Sequence, residues 1–185
     1  MQVLGLCGSL RAASINRALL GAAARLAPPG MRIARFDDLG ALPLFNPDLE
    51  SRPPAAVVAL KQAVAAADAL LVASPEYARG VSGVIKNALD WLVSFEPFVA
   101  KPVAVLNASP RAHHADDALR ETLRTMSAVI VEGASVSLPL LGAHLTEDGM
   151  VSSADLSRAI RSSLAALHAF LAGRPASGGP AFPVT

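Results

Sequence analysis

Val3-Leu4-Gly5-Leu6-Cys7 runs straight into Gly8-Ser9-Leu10-Arg11-Ala12-Ala13-Ser14-Ile15-Asn16, and an Ala/Leu-rich stretch follows from Arg17 to Leu26. The first run is apolar and too short for anything but a buried strand; the last reads as a helix. What lies between is a strand-to-helix turn of small and hydroxyl residues with one arginine. Such a turn leaves the first N–H groups of the helix unpaired at the positive end of its dipole. Small side chains let an anion approach that backbone. Ser9, Ser14 and Asn16 add neutral donors, and Arg11 adds a forked cation that matches phosphate geometry. The stretch reads as a phosphate cup. Two plainer readings stand beside it: Ser14 as a simple N-cap, and Arg11 as a solvated loop charge.

Neither of the two best-known nucleotide signatures is present. Gly5 and Gly8 do not extend to a Gly-x-Gly-x-x-Gly, and no Gly-x-x-x-x-Gly-Lys-Ser/Thr occurs. A dinucleotide on a Rossmann glycine turn and a P-loop NTPase are both disfavoured.

Working outward, apolar runs alternate with helical periods. Strands are expected at 2–7, 31–36, 68–74, 101–107 and 129–136, and helices at 15–27, 54–66, 83–94, 116–127 and 153–171. Leu19, Leu20, Ala23 and Leu26 mark the buried face of the first helix, and Val84, Ala88, Leu89 and Leu92 that of the third. Pro28-Pro29-Gly30 ends the first helix and Pro53-Pro54 opens the second. Repeated β–α units imply a parallel sheet with right-handed crossovers. Ligands of such sheets sit beyond the carboxyl ends of the strands. The cup, the loop Ser74–Gly83 and the loop Ala108–His114 would converge there if the first strand lies centrally beside the third. The connection Asp37–Arg52 carries Leu42-Pro43-Leu44-Phe45-Asn46-Pro47, whose apolar residues point to a partner surface or a cleft wall.

The 185 residues suit one domain, and a hydrophobic content of 52% suits a sheet covered on both faces. Basic and acidic residues number 16 and 15 with no basic run, and aromatics make up 4%, so neither a nucleic-acid footprint nor a base-stacking surface is visible. Cys7 is the one cysteine, which excludes an internal disulfide. No apolar run reaches membrane-span length and no signal peptide is apparent, so a cytoplasmic protein without membrane contact is expected. His113 and His114 are adjacent and would face different ways. No ligand spacing completes a metal site around them, and none is expected. His144 and His168 are isolated. Gly173 to Thr185 is Gly/Pro/Ala/Ser-rich and is expected to be a flexible tail.

Three segments together carry a family resemblance: Gly8-Ser9-Leu10-Arg11 with Ser14 and Asn16, then Ser74-Pro75-Glu76-Tyr77, then Gly83-Val84-Ile85-Lys86-Asn87-Ala88-Leu89-Asp90-Trp91. With Leu42-Pro43-Leu44, they resemble the NADPH-dependent FMN reductase family over residues 2–170. The resemblance implies an α/β, flavodoxin-like three-layer sandwich whose five-stranded parallel sheet has the order 2-1-3-4-5. Residues 1–172 would form the FMN-binding domain and 173–185 the tail. Ser9, Arg11, Ser14, Ile15 and Asn16 would hold the phosphate of FMN. Pro75, Glu76, Tyr77, Ala78, Gly80 and Ser109 would surround the isoalloxazine, with backbone amides bonding its polar edge. No side chain is required as a catalytic residue, because the cofactor carries the hydride chemistry.

The implied activity is hydride transfer from NADPH or NADH through bound FMN to a small-molecule acceptor: a flavin, quinone, azo compound or metal oxyanion. A ping-pong mechanism and a homodimer or homotetramer go with it. Arg79 and Arg111 are candidate contacts for a nicotinamide-nucleotide phosphate or plain solvated charges. Trp91 reads as packing, and Lys86 with Asp90 as a surface pair. The alternatives are a flavodoxin-type electron carrier and a flavin-bound redox sensor. Two departures from the family pattern stand out: Ala78-Arg79 where Asn-Gly or a similar pair is common, and a glycine-poor loop at 109–114.

Overall fold

In the computed structural model, which describes residues 1–109, 111, 113–140 and 146–174, strand β1 (Gln2–Cys7) lies at the centre of the molecule. It pairs in parallel with β2 (Arg32–Phe36) on one side and β3 (Ala69–Ala73) on the other, and β3 pairs with β6 (Pro102–Asn107). The edge beyond β6 is formed by β7 (Val129–Ile130) and β8 (Val136–Ser137), both parallel to it. Counted along the main sheet the order is 2-1-3-4-5, as the resemblance implied. The intervening numbers belong to a separate antiparallel hairpin, β4 (Glu76–Tyr77) and β5 (Gly80–Val81).

Helices cover both faces. On one, α1 (Ile15–Arg25), α5 (Glu147–Ser152) and α6 (Ala154–Ala172) bury Leu19, Leu20, Leu164 and Leu167 against Val3, Cys7, Leu71 and Leu106. On the other, α2 (Ala55–Ala66), α3 (Gly83–Asp90) and α4 (His113–Thr125) bury Leu60, Val64, Ile85, Leu89 and Leu119 against Leu4, Leu6, Leu70 and Val105. Alternation along each strand sends neighbours to opposite faces. Both faces are covered, so the strands read as unbroken apolar runs. Each fully buried leucine contributes about 1.5–3 kcal/mol.

The strand expected at 129–136 is not continuous. Pro102 faces Val129 and Leu106 faces Val136, so three more residues lie on the edge strand than on β6. They form the 3-10 turn Glu132–Ala134. Ser135 closes the gap: its Oγ accepts the Val105 N–H and donates to Val131 O. Helix α5 was not expected. Thr146 caps it, accepting the Gly149 N–H, and Arg25 on α1 pairs with Glu147 and Asp148. The third helix stops at Asp90, four residues before the expected 94. Gly173 caps α6, and Arg174 donates to Ala100 O. His144 and residues 175–185 lie outside the described residues.

Candidate active site

The carboxyl ends of β1, β3 and β6 open into one cavity of about 730 Å³. Its first wall is the β1–α1 turn: Ser9, Arg11, Ala12, Ala13, Ser14, Ile15 and Asn16 all line it. Gly8 permits this approach, because a Cβ there would stand 2.3 Å from Ser74 Oγ and 2.8 Å from Ile85 Cγ1. Gly8 N–H donates to Ala73 O at 2.8 Å, so the turn starts from a fixed point. Ser14 is the N-cap of α1 and accepts the Arg17 N–H at 3.3 Å. The plain capping reading is therefore correct for its side chain, and the residue lines the cavity as well. Ile15 and Asn16 follow in the first turn, where N–H groups have no helical acceptor.

Charge in this wall is arranged unequally. Arg17 and Arg35, both at the cavity, share one carboxylate, Asp37. Partial burial by itself would raise the Asp37 carboxyl, but the guanidiniums of Arg35 and Arg17 outweigh it and hold the group below its ordinary value. Arg11 is exposed and has no acidic partner among the described residues. It is the guanidinium of the three that remains available to an anion.

The second wall is Ser74, Pro75, Glu76 and Tyr77, and the third is Asn107, Ala108 and Ser109. Asn107 Oδ1 accepts the Ser109 N–H at 2.9 Å, and Ser109 Oγ accepts the Arg111 N–H at 3.2 Å. Ser74 Oγ meets Ser82 Oγ at 3.1 Å. Tyr77 is exposed, whereas the Glu76 carboxylate turns away to accept the Ala115 N–H at the start of α4. Ala78 and Gly80, expected at the site, lie on the hairpin outside the cavity wall. Thr146 and Glu147 complete the wall beside α1. Glu147 Oε2 lies 2.0 Å from where a Gly21 Cβ would stand, so only glycine at 21 leaves that seat open.

Ser74 lay in the loop expected at the site without being assigned a role; Asn107, Arg17, Arg35, Thr146 and Glu147 were missed by sequence reasoning. The rule that ligands gather at strand carboxyl ends, which placed the Ser74 loop, could also have found Asn107 at the end of its strand. Nothing local marks Arg35 or Glu147. The two histidines expected to diverge instead lie side by side at the exposed start of α4, ring centroids 4.0 Å apart. The Asn87–Trp91 motif has a structural task. Asn87 accepts from Phe45 N–H and donates to Pro43 O, and Trp91 Nε1 donates to Pro43 O at 2.8 Å. Trp91 is fully buried, with Phe45 edge-on to it.

The cavity suits FMN on one direct observation. Among the described residues Asn16 Oδ1 is buried without a hydrogen-bond partner, in a wall that also carries the buried Ser9 and Ser14. A polar atom in that state costs free energy unless a ligand satisfies it, and a ribityl hydroxyl or, with the amide reversed, a phosphate oxygen would do so.

Fold and cavity together define a flavodoxin-like α/β sandwich whose cavity lies at the sheet's switch point, lined by the β1–α1 turn. The family model for NADPH-dependent FMN reductases matches residues 1–143, and the chain belongs to that family. It is 46% identical over 112 residues to an NAD(P)H-dependent FMN reductase of Pseudomonas aeruginosa, covering 59% of this chain and 60% of that protein. It is 34% identical over 113 residues to a quinone reductase of Escherichia coli, covering 59% and 60%. The matched segments thus span about three fifths of each of these curated relatives. Among solved structures, the flavoenzyme NAD(P)H:(acceptor) oxidoreductase FerB from Paracoccus denitrificans superposes with a TM-score of 0.82 at 28% identity, covering 92% of this chain and 97% of that one.

Proposed function

We propose that the protein is an FMN-dependent NAD(P)H oxidoreductase that passes reducing equivalents to a small acceptor, a quinone or a flavin first among them. The observation that carries this is the phosphate cup opening onto a cavity walled by the two ring-side loops. Ser9, Arg11, Ser14, Ile15 and Asn16 hold the phosphate end; the backbone of Pro75–Tyr77 and Ser109 faces the ring. Bound FMN supplies two-electron carriage between nicotinamide and acceptor. The chain's residues fix its position, donate hydrogen bonds to its polar edge, and leave one face open to both substrates in turn. Arg79, at the hairpin tip, and Arg111 are the proposed contacts for a nicotinamide-nucleotide phosphate, with plain solvated charges as the alternative.

The working unit is a homo-oligomer in the cytoplasm. Leu44, 83% exposed, is held out on a loop that Asn87 and Trp91 clamp to α3, and Leu10 and Val93 add exposed apolar surface. Among the described residues no helix is long and apolar enough to cross a membrane. Light scattering of the FMN-loaded protein at micromolar concentration is expected to give a dimer or tetramer; a monomer overturns that part.

The activity is tested by anaerobic mixing. NADH or NADPH should bleach the bound flavin in one step, and added quinone should restore its colour. Initial-rate plots at several acceptor concentrations should be parallel, because the acceptor enters after the oxidised nucleotide leaves. Intersecting lines refute a shared face. Failure of both nucleotides to reduce the flavin refutes the reductase reading and favours an electron carrier.

A further inference from the structure

The hairpin β4–β5 is the part of the cavity wall least able to hold itself. It has two residues per strand and pairs with no strand of the main sheet. It turns through Ala78 at φ 50° and Arg79 at φ 59°, a left-handed pair without glycine. Two-stranded ribbons are marginal in water, and each left-handed non-glycine residue adds to the cost. An anchor outside the hairpin is required. The Ser74–Ser82 hydroxyl contact closes its base, and α4 packs along both strands. One charged contact joins the hairpin to that helix: the Glu76 carboxylate accepts the Ala115 N–H at 2.9 Å.

We propose that Glu76 is a positioning residue, whose carboxylate locks the ring-side hairpin to the first turn of α4 and so sets the spacing of the two loops that face the flavin ring. Adjacent strand residues point to opposite sides: Tyr77 is open to solvent and Glu76 is committed to α4. Ala115 is buried and is the third residue of its helix, so its N–H has no helical acceptor. A carboxylate there satisfies the donor and meets the positive end of the helix dipole. The third wall precedes this helix in the chain, and there Asn107 Oδ1 accepts the Ser109 N–H and Ser109 Oγ accepts the Arg111 N–H. Glu76 therefore ties the second wall of the cavity to the third. Its backbone faces the ring, while its carboxylate acts on the ring site through α4. This rests on the FMN reading of the cavity.

The test is fluorescence titration of FMN and of riboflavin into the wild type and the Glu76→Ala, Glu76→Met and Glu76→Gln variants, with thermal melts alongside. Loss of the acceptor in Ala or Met should weaken both flavins by the same factor, about tenfold, and change the absorption spectrum of the bound flavin. Gln keeps an oxygen for the Ala115 N–H and should recover most of the affinity. Wild-type affinity in both Ala and Met overturns the proposal. A Gln variant as weak as Ala, at equal melting temperature, also overturns it, since the charge would then be acting on the flavin directly. A loss confined to FMN places the effect at the phosphate and overturns it as well. If the wild type binds neither flavin, the cofactor reading falls first and this proposal with it.

Discussion

The two ends of the cavity are built in opposite ways. The end proposed for the phosphate is a β–α junction of the main sheet. Its strand is buried, its helix is capped by Ser14, and its backbone is pinned by Gly8 to Ala73. The end proposed for the ring is a hairpin separate from the main sheet, with a strained turn, held by a hydroxyl pair and one carboxylate borrowed by a neighbouring helix. One site is rigid because the core of the fold runs through it. The other stands off the main sheet and is held by α4 and by side-chain ties. The contrast fits the work proposed: a phosphate needs a fixed anchor, while the face that receives two substrates in turn sits on the softer wall.

The junction between the two regions is where the contrast breaks most sharply. At Gly8 an added Cβ meets Ser74, Ser82 and Ile85 within 2.8 Å. Gly8→Ala should cost about 1–3 kcal/mol, seen as a melting temperature lower by several degrees, and should weaken FMN and riboflavin together. An unchanged melt would mean the two walls are not in contact there. A smaller effect of opposite sign is expected at the hairpin. Ala78→Gly removes a left-handed alanine and should raise stability by up to about 1 kcal/mol, read in chemical denaturation. A loss would mean that the φ of 50° carries no strain.

The smallest effect concerns Asp37, which pairs with Arg17 and Arg35 behind the cup. Its carboxyl is held below its ordinary value of 3.8. Its contribution is thus present above that pH and lost as pH falls through the depressed value. Asp37→Asn should lower stability at neutral pH by under about 1 kcal/mol, because the pair is half exposed. The gap from wild type should close in acid. A gap constant with pH would show that the pairs do not stabilise the fold.

This division also explains what could be read in the sequence. The cup is local: an apolar run, small residues, a capping serine and a helical period all lie within one continuous stretch, and each local choice agrees with the next. The central sheet was legible for the same reason. The hairpin was not, because its two-residue turn calls for Asn-Gly and Ala78-Arg79 gives no such signal. The edge strand looked continuous because Val129 to Val136 is largely apolar, and the extra turn is fixed by register against β6, which no local pattern records. Thr146 followed by Glu147 and Asp148 was a readable cap signal for α5. That α5 would bring Glu147 to the cavity depended on the seat at Gly21, far away in sequence.

The central claim is that the turn after β1 recognises a phosphate. Its most direct test compares FMN with riboflavin, which lacks the phosphate, in the wild type and in Arg11→Ala. Arg11 has no acidic partner among the described residues, so its removal deletes a charge-assisted contact to the ligand and little else. FMN affinity should fall about ten- to a hundredfold, the equivalent of roughly 1.5–3 kcal/mol. Riboflavin should bind the wild type poorly and be almost indifferent to the substitution. Equal losses for both ligands, or wild-type affinity for FMN in the variant, would contradict the account.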